Sequence, residues 1–314
     1  MTDNQKEDFK CGFVALLGKP NAGKSTLLNR VIGEKISIVT PKPQTTRHRI
    51  HGILNHDAAQ IVVVDTPGFC GGESSMKKVL RRVAGTSAVD ADITVLMVEL
   101  KKNMLKTFDE LEREIRGKAE EANAKLIVAL NKVDRMDDKR EVLPWIERYS
   151  KELPVVAIVP ISAKTGDGVD SLLEVVLDAL PKSPPVFPLD LHTDQAERFM
   201  CEELVREQVL LQTHQEVPHS AAVILDAFDD ERREGGGLCR LNGRIILEKE
   251  SQKGILVGKQ GARIKEINTK ARKSIEELLG CKVFLQMIVV VDDSWTKNAR
   301  SVRKYRIGEE LDGQ

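Results

Sequence analysis

The chain has 314 residues, of which 41% are hydrophobic and 31% are charged, and its 48 basic residues are balanced by 48 acidic ones. This size and composition predict two folded domains and exclude a disordered chain. The zero net charge excludes a whole-protein electrostatic case for nucleic-acid binding and leaves only local patches to consider. No apolar run approaches the roughly 20 residues that a bilayer requires, and the charged start MTDNQKEDFK predicts no signal peptide.

Five cysteines are scattered along the chain without a CxxC pair, at Cys11, Cys70, Cys201, Cys239 and Cys281. This odd and dispersed set predicts neither a disulfide framework nor a zinc site. It is typical of a protein in a reducing cytoplasm, which is the location that we predict.

Between residues 11 and 181 the chain alternates short apolar runs with longer segments of helical pattern. The runs that predict strands are FVALLG, IVVVDT, ITVLMVE, KLIVALNK and VVAIVPIS, and the helical segments include LLNRVIG, TFDELEREIRGKAEEA and VDSLLEVVLDAL. Strands that are apolar on both faces and separated by helices predict an α/β domain with a mostly parallel sheet over residues 1–181. Four prolines in PKSPPVFP predict a stiff linker over residues 182–193, before a second domain over residues 194–314.

The stretch GKPNAGKS, residues 18–25, lies between a predicted strand and a predicted helix and matches the phosphate-loop pattern in full. Gly18 and Gly23 let the backbone wrap so that its N–H groups point at phosphates, and the helix N-terminus adds its positive dipole end. Lys24 is predicted to reach the β- and γ-phosphates, and the Ser25 hydroxyl is predicted to bind magnesium. The alternative is a glycine-rich turn that binds nothing.

The stretch DTPG, residues 65–68, ends the apolar run VVV. Alone it is an ordinary turn, but after a phosphate loop it predicts that Asp65 holds magnesium through water and that the Gly68 N–H contacts the γ-phosphate. Phe69, which follows, is predicted to be exposed.

The segment TPKPQTTRHRI lies between these two motifs and is polar and broken by proline. Such a segment can place a threonine over magnesium only while the γ-phosphate is present. Thr46 is the predicted magnesium ligand, and Thr45 is the alternative. The competing interpretation is that the segment is a mobile loop that ends in basic residues and binds no metal.

The stretch LNKVD, residues 130–134, decides which base is bound. The Asp134 carboxylate can accept two hydrogen bonds from guanine, whereas adenine offers no donor there and would leave the carboxylate unpaired at a cost of roughly 1–3 kcal/mol. Asn131 is predicted to tie this loop to the phosphate loop, and the Lys132 stem to cover the base. These residues predict GTP rather than ATP as the ligand.

The stretch PISAKTG, residues 160–166, supplies the last wall of the predicted guanine pocket. The Ala163 N–H is predicted to donate to guanine O6, Ser162 to shape the loop and Lys164 to cover the other face of the ring. The predicted nucleotide-binding residues are Gly18, Lys19, Pro20, Asn21, Ala22, Gly23, Lys24, Ser25, Thr26, Asp65, Thr66, Pro67, Gly68, Asn131, Lys132, Val133, Asp134, Ser162, Ala163 and Lys164. The predicted magnesium ligands are Ser25, Thr46 and Asp65, and the predicted catalytic residues are Lys24, Thr46, Gly68 and Asn21.

The second domain shows a helix over residues 194–213 with Met200, Leu204 and Leu211 on one face. SAAVILDAF, RLNGRIILEKE and KVFLQMIVVV predict strands, and SQKGILVGKQGARIKEINTKARKSIEELLG predicts a short helix, the loop GKQG and a long helix. This order resembles an α+β type II K-homology domain, whose GxxG loop clamps the backbone of about four nucleotides of RNA. A simple turn between two helices is the alternative for GKQG.

Local charge favours the RNA interpretation. Seven basic residues and one acid lie between Lys253 and Lys273, and WTKNARSVRKYR near the C-terminus has five basic residues and no acid. The predicted RNA-binding residues are Gly258, Lys259, Gln260, Gly261, Arg263 and Lys265. Trp295 and Tyr305 could stack on bases, although packing against the core is the favoured role for Trp295.

In this order, GKPNAGKS, QTTRHRI, DTPG, NKVD and ISAKTG, followed by a linker and the second domain, resemble the bacterial Era family of GTPases. The resemblance implies GTP or GDP and Mg²⁺ as ligands. It also implies binding to the 3′ end of small-subunit ribosomal RNA, a role in maturation of the small ribosomal subunit, and peripheral association with the inner membrane in some settings. It does not imply a stable oligomer, and the sequence leaves the oligomeric state open.

Phe69 stands where many GTPases have a glutamine that orients the attacking water, and a hydrocarbon ring cannot do this. In related GTPases an asparagine at the position of Asn21 helps to hold a potassium ion beside the phosphates, so K⁺ is a further expected cofactor. The alternative is that Asn21 only rigidifies the loop.

Two other classes of function compete with this one. A non-catalytic RNA-binding module would use its nucleotide domain only for stability, and the complete set of Lys24, Ser25, Asp65 and Asp134 argues against it. A membrane-linked signalling GTPase would need an anchor, and the sequence has no lipidation motif or strongly amphipathic basic helix to provide one.

Overall fold

The computed structural model describes residues 8–69, 74–101, 110–214, 217–231, 233 and 237–308. The chain divides into two compact units. The first contains Met1–Ser37, Thr46–Gly71 and Leu80–Asp194, and the second contains Ile38–Thr45, Gly72–Val79 and Gln195–Gln314. One division between the units falls at residues 194–195, and two short segments of the nucleotide-binding half, which the sequence does not single out, group with the second unit.

The first unit is built on a six-stranded sheet in the order β2-β3-β1-β4-β5-β6. All pairings are parallel except that of β2 with β3. The strands are β1 (Lys10–Gly18), β2 (Ile50–His56), β3 (Ala59–Asp65), β4 (Ile93–Glu99), β5 (Lys125–Asn131) and β6 (Ala157–Ile161). The helices along this part of the chain are α1 (Lys24–Ile32), α2 (Ser75–Val89), α3 (Glu110–Glu121), α4 (Leu143–Glu152) and α5 (Val169–Ala179).

The predicted mostly parallel sheet is therefore confirmed, with one strand more than expected. The sequence does not predict β2, because HGILNH is interrupted by polar residues and follows the proline-broken polar segment TPKPQTTRHRI. An edge strand that pairs on one side only needs no continuous apolar run. The first residues of the predicted helix TFDELEREIRGKAEEA lie outside the described residues.

The position of Phe69 differs from the prediction, which was that its side chain is exposed. Only 2% of this residue is exposed, and its ring packs in a core cluster with Leu17, Ala84 and Ala88. The Phe69 N–H also donates to the carbonyl oxygen of Gly18 at 3.1 Å. The chain after DTPG turns into the core, so an apolar residue is required there for packing.

The proline-rich stretch that the sequence predicts as a linker packs against the first unit. The side-chain oxygen of Gln60 accepts hydrogen bonds from the backbone N–H groups of Val186 and Phe187, each at 2.9 Å. The Thr193 hydroxyl donates to the carbonyl oxygen of His51 at 2.7 Å, and Asp194 pairs with the His51 ring at 2.6 Å. This segment contains a turn in which the Leu191 N–H donates to the carbonyl oxygen of Pro188 at 3.1 Å, and it is tied to strands β2 and β3.

The second unit has a three-stranded sheet in the order β7-β8-β9, in which β7 and β8 are antiparallel and β8 and β9 are parallel. Its strands are β7 (Ala222–Asp229), β8 (Leu238–Leu247) and β9 (Lys282–Val291). Its helices are α6 (Glu197–Gln212), α7 (Val217–Ser220), α8 (Glu250–Val257), α9 (Ala262–Leu279) and α10 (Ala299–Lys304). The predicted strand RLNGRIILEKE ends earlier than expected, at Leu247, since α8 begins at Glu250.

The core of the second unit lies between the sheet and helices α6 and α9. Cys201, Val205 and Val209 form the fully buried line of α6 at four-residue spacing. Met200 and Leu204 of the predicted face are buried, whereas Leu211, in the last turn of α6, is 43% exposed. Trp295 is fully buried and donates its indole N–H to the carbonyl oxygen of Ser220 at 2.9 Å, so it packs as the sequence favours.

Among the residues that the structure describes, no helix is long and apolar enough to cross a bilayer. Within the same part of the chain, no group of three or more His, Cys, Asp or Glu side chains is arranged to hold a metal ion.

Candidate functional site

The phosphate loop joins the end of β1 to the start of α1. Lys24 is buried, and its ammonium donates to the carbonyl oxygens of Gly18 and Lys19, each at 3.2 Å. Gly23 has a φ of +103°, and a Cβ there would lie 2.2 Å from Nδ2 of Asn131. The loop therefore closes tightly on its neighbours. It leads directly into the N-terminus of α1, a position that favours anions such as phosphate.

A carboxylate ringed by hydroxyls lies at the carboxyl end of β3. Asp65 Oδ2 accepts hydrogen bonds from Ser25 at 2.6 Å, Ser37 at 2.9 Å and Thr46 at 3.1 Å. The hydroxyls of Ser25 and Thr46 are themselves 2.9 Å apart. The structure thus brings together the three residues that the sequence predicts as magnesium ligands.

The burial and hydrogen bonding of the Asp65 carboxyl group are suited to binding a cation. Complete burial raises the pKa of this carboxyl above its ordinary value, and the Lys24 ammonium and the three hydroxyls act in the opposite direction. Its Oδ1 atom is buried and has no hydrogen-bond partner among the described residues. A buried carboxylate oxygen without a partner is costly unless a ligand satisfies it, and hard divalent cations prefer such oxygen atoms.

The geometry separates Thr46 from its alternative Thr45. Thr46 points to Ser25 and Asp65, whereas the Thr45 hydroxyl donates to the carbonyl oxygen of Lys42 at 2.7 Å. In the second unit, to which residues 38–45 belong, Arg206 donates to the Thr45 carbonyl oxygen. Of the two threonines, Thr46 is therefore the one whose side chain faces Asp65.

The DTPG turn is anchored to the phosphate loop. The Thr66 hydroxyl donates to the carbonyl oxygen of Leu16 at 2.7 Å, which fixes the turn to strand β1. A Cβ at Gly68 would lie 2.7 Å from the Cα atom of Pro20, so only glycine allows this approach. The Gly68 backbone is consequently held beside the loop that is predicted to bind phosphates.

The guanine end of the predicted pocket is held together by Asn131. Its Nδ2 atom donates to the carbonyl oxygen of Ala22 at 2.7 Å, which ties β5 to the phosphate loop as the sequence predicts. Its Oδ1 atom accepts from the N–H groups of Lys132 at 2.8 Å and Ala163 at 2.9 Å. The Ala163 N–H, predicted to donate to guanine O6, is thus engaged by Asn131 in this structure.

Asp134 is exposed at the end of this loop, and the buried Ser162 hydroxyl donates to its Oδ1 atom at 2.7 Å. Ser162 also accepts from the N–H group of Thr165 at 3.1 Å. Ser162 therefore does more than shape its own loop, because it holds one oxygen of the carboxylate that is predicted to select guanine.

Three residues near the pocket were missed by the sequence analysis. Ser37 is the third hydroxyl on Asp65, and Glu99 pairs with the Lys132 ammonium at 2.7 Å. Arg30 of α1 donates to the carbonyl oxygen of Lys164. Of the three, only Glu99 could have been recognised from the sequence, because it is a charged residue at the carboxyl end of an apolar strand.

The remaining predicted nucleotide residues lie along the same edge of the sheet. Asn21 is exposed and has a φ of +64°, which places its side chain at the outer turn of the phosphate loop. The others are exposed (Lys19), half-buried (Pro20, Thr26, Val133) or buried (Ala22, Pro67). The roles predicted for all of these residues stay predictions.

The GKQG loop joins α8 to α9 through a single 3₁₀ turn. Gly258 has φ +72° and ψ 179°, a conformation that is nearly restricted to glycine, and Gly261 has φ +77°. Lys259 and Gln260 between them are exposed. The backbone of this loop is therefore open on its outer side and free of side chains at its two glycines.

Arg263 and the surrounding lysines differ in what they contact. The Arg263 guanidinium donates to the carbonyl oxygen of Ile255 and so braces α9 against α8. Lys270 pairs with Glu266 at 2.7 Å, whereas Lys259 and Lys265 are exposed. Among the residues predicted to bind RNA, Lys259 and Lys265 therefore keep exposed side chains, and their role stays a prediction.

A strand, phosphate loop and helix followed by these polar strand ends define a P-loop GTPase domain, and the second unit has the fold of a type II K-homology domain. Comparisons with known proteins agree. A family model described as "50S ribosome-binding GTPase" matches residues 13–132, and a KH-domain model matches residues 216–296.

Two curated relatives match nearly the whole chain. GTPase Era of Geobacter metallireducens is 45% identical over 304 residues, which is 97% of this chain and 99% of the relative. GTPase Era of Syntrophus aciditrophicus is 41% identical over 96% of each chain. The chain therefore belongs to the GTPase Era family, and it is a GTP phosphohydrolase.

Two solved structures match at a TM-score of 0.88 and 36% identity, over 95% of this chain. One is a variant of Aquifex aeolicus Era bound to GDP and AlF₄⁻, of which 99% is covered. The other, 98% covered, is Era in complex with MgGDPNP and nucleotides 1506–1542 of 16S ribosomal RNA. The predicted fold and the predicted family are thus confirmed.

Proposed function

We propose that this protein binds GTP with Mg²⁺ and couples its hydrolysis to the binding of single-stranded RNA at the 3′ end of small-subunit ribosomal RNA. The observation that carries the proposal is that one chain holds both a hydroxyl-ringed, partly unsatisfied Asp65 beside a phosphate loop and an open GKQG loop with basic flanks. The first suits a magnesium-bound triphosphate and the second a sugar-phosphate backbone. The process would be assembly and maturation of the small subunit.

Different residues of the first unit bind the phosphates and the metal. Lys24 exchanges its bonds to Gly18 and Lys19 for phosphate oxygens, while Ser25, Thr46 and Asp65 surround the position of the metal. When bound, Mg²⁺ would neutralise charge on the phosphates. Gly68, held against Pro20, presents its N–H to the γ-phosphate.

Guanine is selected at the other end of the pocket. Asp134 accepts from the base edge with its orientation set by Ser162, and Asn131 holds the two loops around the base. The Lys132 stem, fixed by its ion pair with Glu99, covers one face of the ring, and Lys164 covers the other.

Hydrolysis uses no side chain at position 69, because the Phe69 ring is buried in the core. The groups that remain to stabilise charge are Lys24, the Gly68 N–H and the Asn21 amide, whose position on the exposed side of the loop suits a potassium ion beside the phosphates. We expect slow turnover that is faster in potassium than in sodium.

RNA binding is proposed for this chain because the similar protein Era was solved in complex with a fragment of 16S ribosomal RNA. Gly258 and Gly261 carry no side chain that would block a nucleic-acid backbone, and Lys259, Gln260, Arg263 and Lys265 lie next to them in the chain. Since ribosomal RNA is cytoplasmic, we also propose a cytoplasmic location with, at most, peripheral attachment to the inner membrane, and a monomeric protein. Cell fractionation would test the location, and light scattering would test the oligomeric state.

The test of the RNA half is the double variant Gly258→Asp with Gly261→Asp. Side chains and negative charge at both glycines should abolish binding of an oligonucleotide with the 3′-terminal small-subunit sequence, measured by fluorescence anisotropy. Steady-state GTP hydrolysis should stay near that of the unchanged protein, with many turnovers per molecule.

The control is Gly254→Asp, one helical turn earlier in α8, where a Cβ meets nothing within 4 Å. It adds negative charge nearby but should retain most RNA affinity. RNA binding by the double variant within about twofold of the unchanged protein would defeat the clamp assignment. A single turnover or none would favour a non-catalytic RNA-binding module instead.

A further inference from the structure

Two cysteine thiols lie side by side in the second unit. The Sγ atoms of Cys239 in β8 and Cys281 just before β9 are 3.0 Å apart, although 42 residues separate them in the chain. Both are free thiols in this structure. No sequence motif signals the pair, and neither residue takes part in the nucleotide or RNA sites described above.

The sheet holds the two residues in this arrangement. Strands β8 and β9 pair in parallel over ten residues, beginning with Leu238 opposite Lys282 and Cys239 opposite Val283. Cys239 and Val283 are both buried in the core cluster, and Cys281 packs against the same cluster. The two sulfur atoms need to approach by only about 1 Å to reach the length of a disulfide bond.

The surroundings give the two thiols different reactivities. Cys239 is fully buried, and burial raises the pKa of its thiol to about 11, while the Arg233 guanidinium acts in the opposite direction. Cys281 is only half-buried, so a small molecule can reach it. Arg233 is held in place by its ion pair with Glu197 at 2.6 Å, and its guanidinium lies close enough to both sulfurs to interact with them electrostatically.

We propose that Cys239 and Cys281 are a site of reversible oxidation that forms a disulfide across the β8–β9 pair. The co-reactant is a small-molecule disulfide, RSSR. The Cys281 thiolate attacks one sulfur of RSSR, forms a mixed disulfide and releases one RS⁻, which is protonated to RSH. Cys239 then loses its proton and attacks Cys281 Sγ, releasing the second RSH. Two protein thiols are oxidised and one RSSR is reduced to two RSH.

The bond would enclose a particular part of the fold. Between the two cysteines lie the rest of β8, then α8, the GKQG loop and α9. A covalent closure of this segment restricts the unfolded chain more than the folded one, because the strands are already paired. Oxidation should therefore stabilise the unit that carries the GKQG loop. The chemistry of the pair does not depend on the proposed RNA function.

The experiment uses the full-length protein incubated with oxidised glutathione or with dithiothreitol. Remaining thiols are alkylated under denaturing conditions, and peptides are analysed by mass spectrometry. We expect a peptide linked through Cys239 and Cys281 only in the oxidised sample. The unfolding temperature of that sample should rise by about 5 °C or more and return to its original value with dithiothreitol.

Three variants sharpen the result. Cys281→Ser should lose both the linked peptide and the rise in unfolding temperature. Cys239→Ala, which lacks the second thiol, should accumulate a glutathione adduct on Cys281. Cys201→Ala is the control, since its buried cysteine lies outside the pair, and it should still form the link.

Two results would overturn the proposal. One is full alkylation of both cysteines after oxidation. The other is a glutathione adduct on Cys281 of the unchanged protein that never proceeds to the linked peptide.

Discussion

The two candidate binding sites are built in opposite ways. In the nucleotide site, Lys24, Asp65 and Asn131 are buried, and each makes at least two hydrogen bonds to neighbouring elements. In the GKQG loop, Lys259 and Gln260 are exposed, and the feature that defines the loop is the positive φ of its glycines. The first site is specified by side chains that hold one another, and the second by a backbone shape.

The two sites differ because the two ligands need different numbers of protein groups held in fixed positions. A nucleotide triphosphate carries a base, a metal and a reacting phosphate, so several groups must be held within a few tenths of an ångström. An RNA strand presents a repeating sugar-phosphate backbone, which an open loop and nearby charge can contact with little preorganised chemistry. We therefore expect substitutions in the first site to act through packing and hydrogen bonds, and those in the second through backbone conformation and charge.

The largest effect is expected where the nucleotide site is part of the core. Phe69→Ala should lower the free energy of unfolding by about 3–5 kcal/mol, because it leaves a cavity in the cluster with Leu17 and Ala88. Urea denaturation followed by the fluorescence of Trp145 and Trp295 measures this. The variant should still hydrolyse GTP at temperatures where it stays folded.

Phe69→Leu is the matched control and should cost much less, since it refills most of the space. A loss below about 1 kcal/mol for Phe69→Ala would contradict the buried position. Complete loss of hydrolysis in a folded Phe69→Ala protein would instead give the ring a role in the chemistry.

The next effect tests whether hydrogen bonding decides base selection. Asp134→Asn should weaken GTP binding by about 1–3 kcal/mol, roughly 5- to 150-fold, and favour xanthosine triphosphate. The Ser162 hydroxyl donates to one side-chain oxygen, so the new carbonyl takes that place and the amide faces the base as a donor. Titration with both nucleotides measures the exchange.

Asp138→Asn provides the same change of charge four residues later, where the carboxylate bonds Arg140 outside the pocket. Its GTP affinity should not change. Equal affinities of the Asp134→Asn protein and the unchanged protein for GTP would remove this carboxylate from the pocket.

A smaller effect separates backbone shape from stability in the second site. Gly258→Ala should weaken RNA binding about tenfold or more, since the conformation of this glycine costs other residues roughly 1–3 kcal/mol and a Cβ would lie 2.9 Å from that of Arg263. Gly280→Ala is the control, because its φ is +65° and a Cβ there meets nothing within 4 Å.

Both alanine variants should lose stability in thermal unfolding, but only the first should lose RNA affinity. Similar losses of RNA affinity in the two variants would mean that general destabilisation, and not the shape of the GKQG loop, controls binding.

The smallest effect concerns the cation beside the phosphates. Steady-state GTP hydrolysis should be a few-fold faster in KCl than in NaCl at matched ionic strength. Asn21→Ala should remove this difference while the protein keeps its fold, because Asn21 is exposed and contributes little to packing. Equal rates of the unchanged protein in the two salts would rule out the potassium mechanism.

The sequence by itself determined the parts of this protein that depend on local chemistry. GKPNAGKS, DTPG and NKVD place glycines or polar side chains at the ends of predicted strands, and GKQG places two glycines between predicted helices. The local pattern of each motif therefore indicates the ligand that it can bind. The parallel sheet followed from apolar runs that alternate with helices, and the burial of Trp295 followed from its size and apolar character.

Only the tertiary structure decided the contacts between residues far apart in the chain. It paired Ser37 with Asp65, Ser162 with Asp134 and Cys239 with Cys281, and it buried Phe69 in the core. It also chose Thr46 over Thr45 as the side chain that faces Asp65. A local pattern states which groups a segment offers, but which of them meet depends on the packing of the whole unit, because close packing and hydrogen bonding act between neighbours in space and not in sequence.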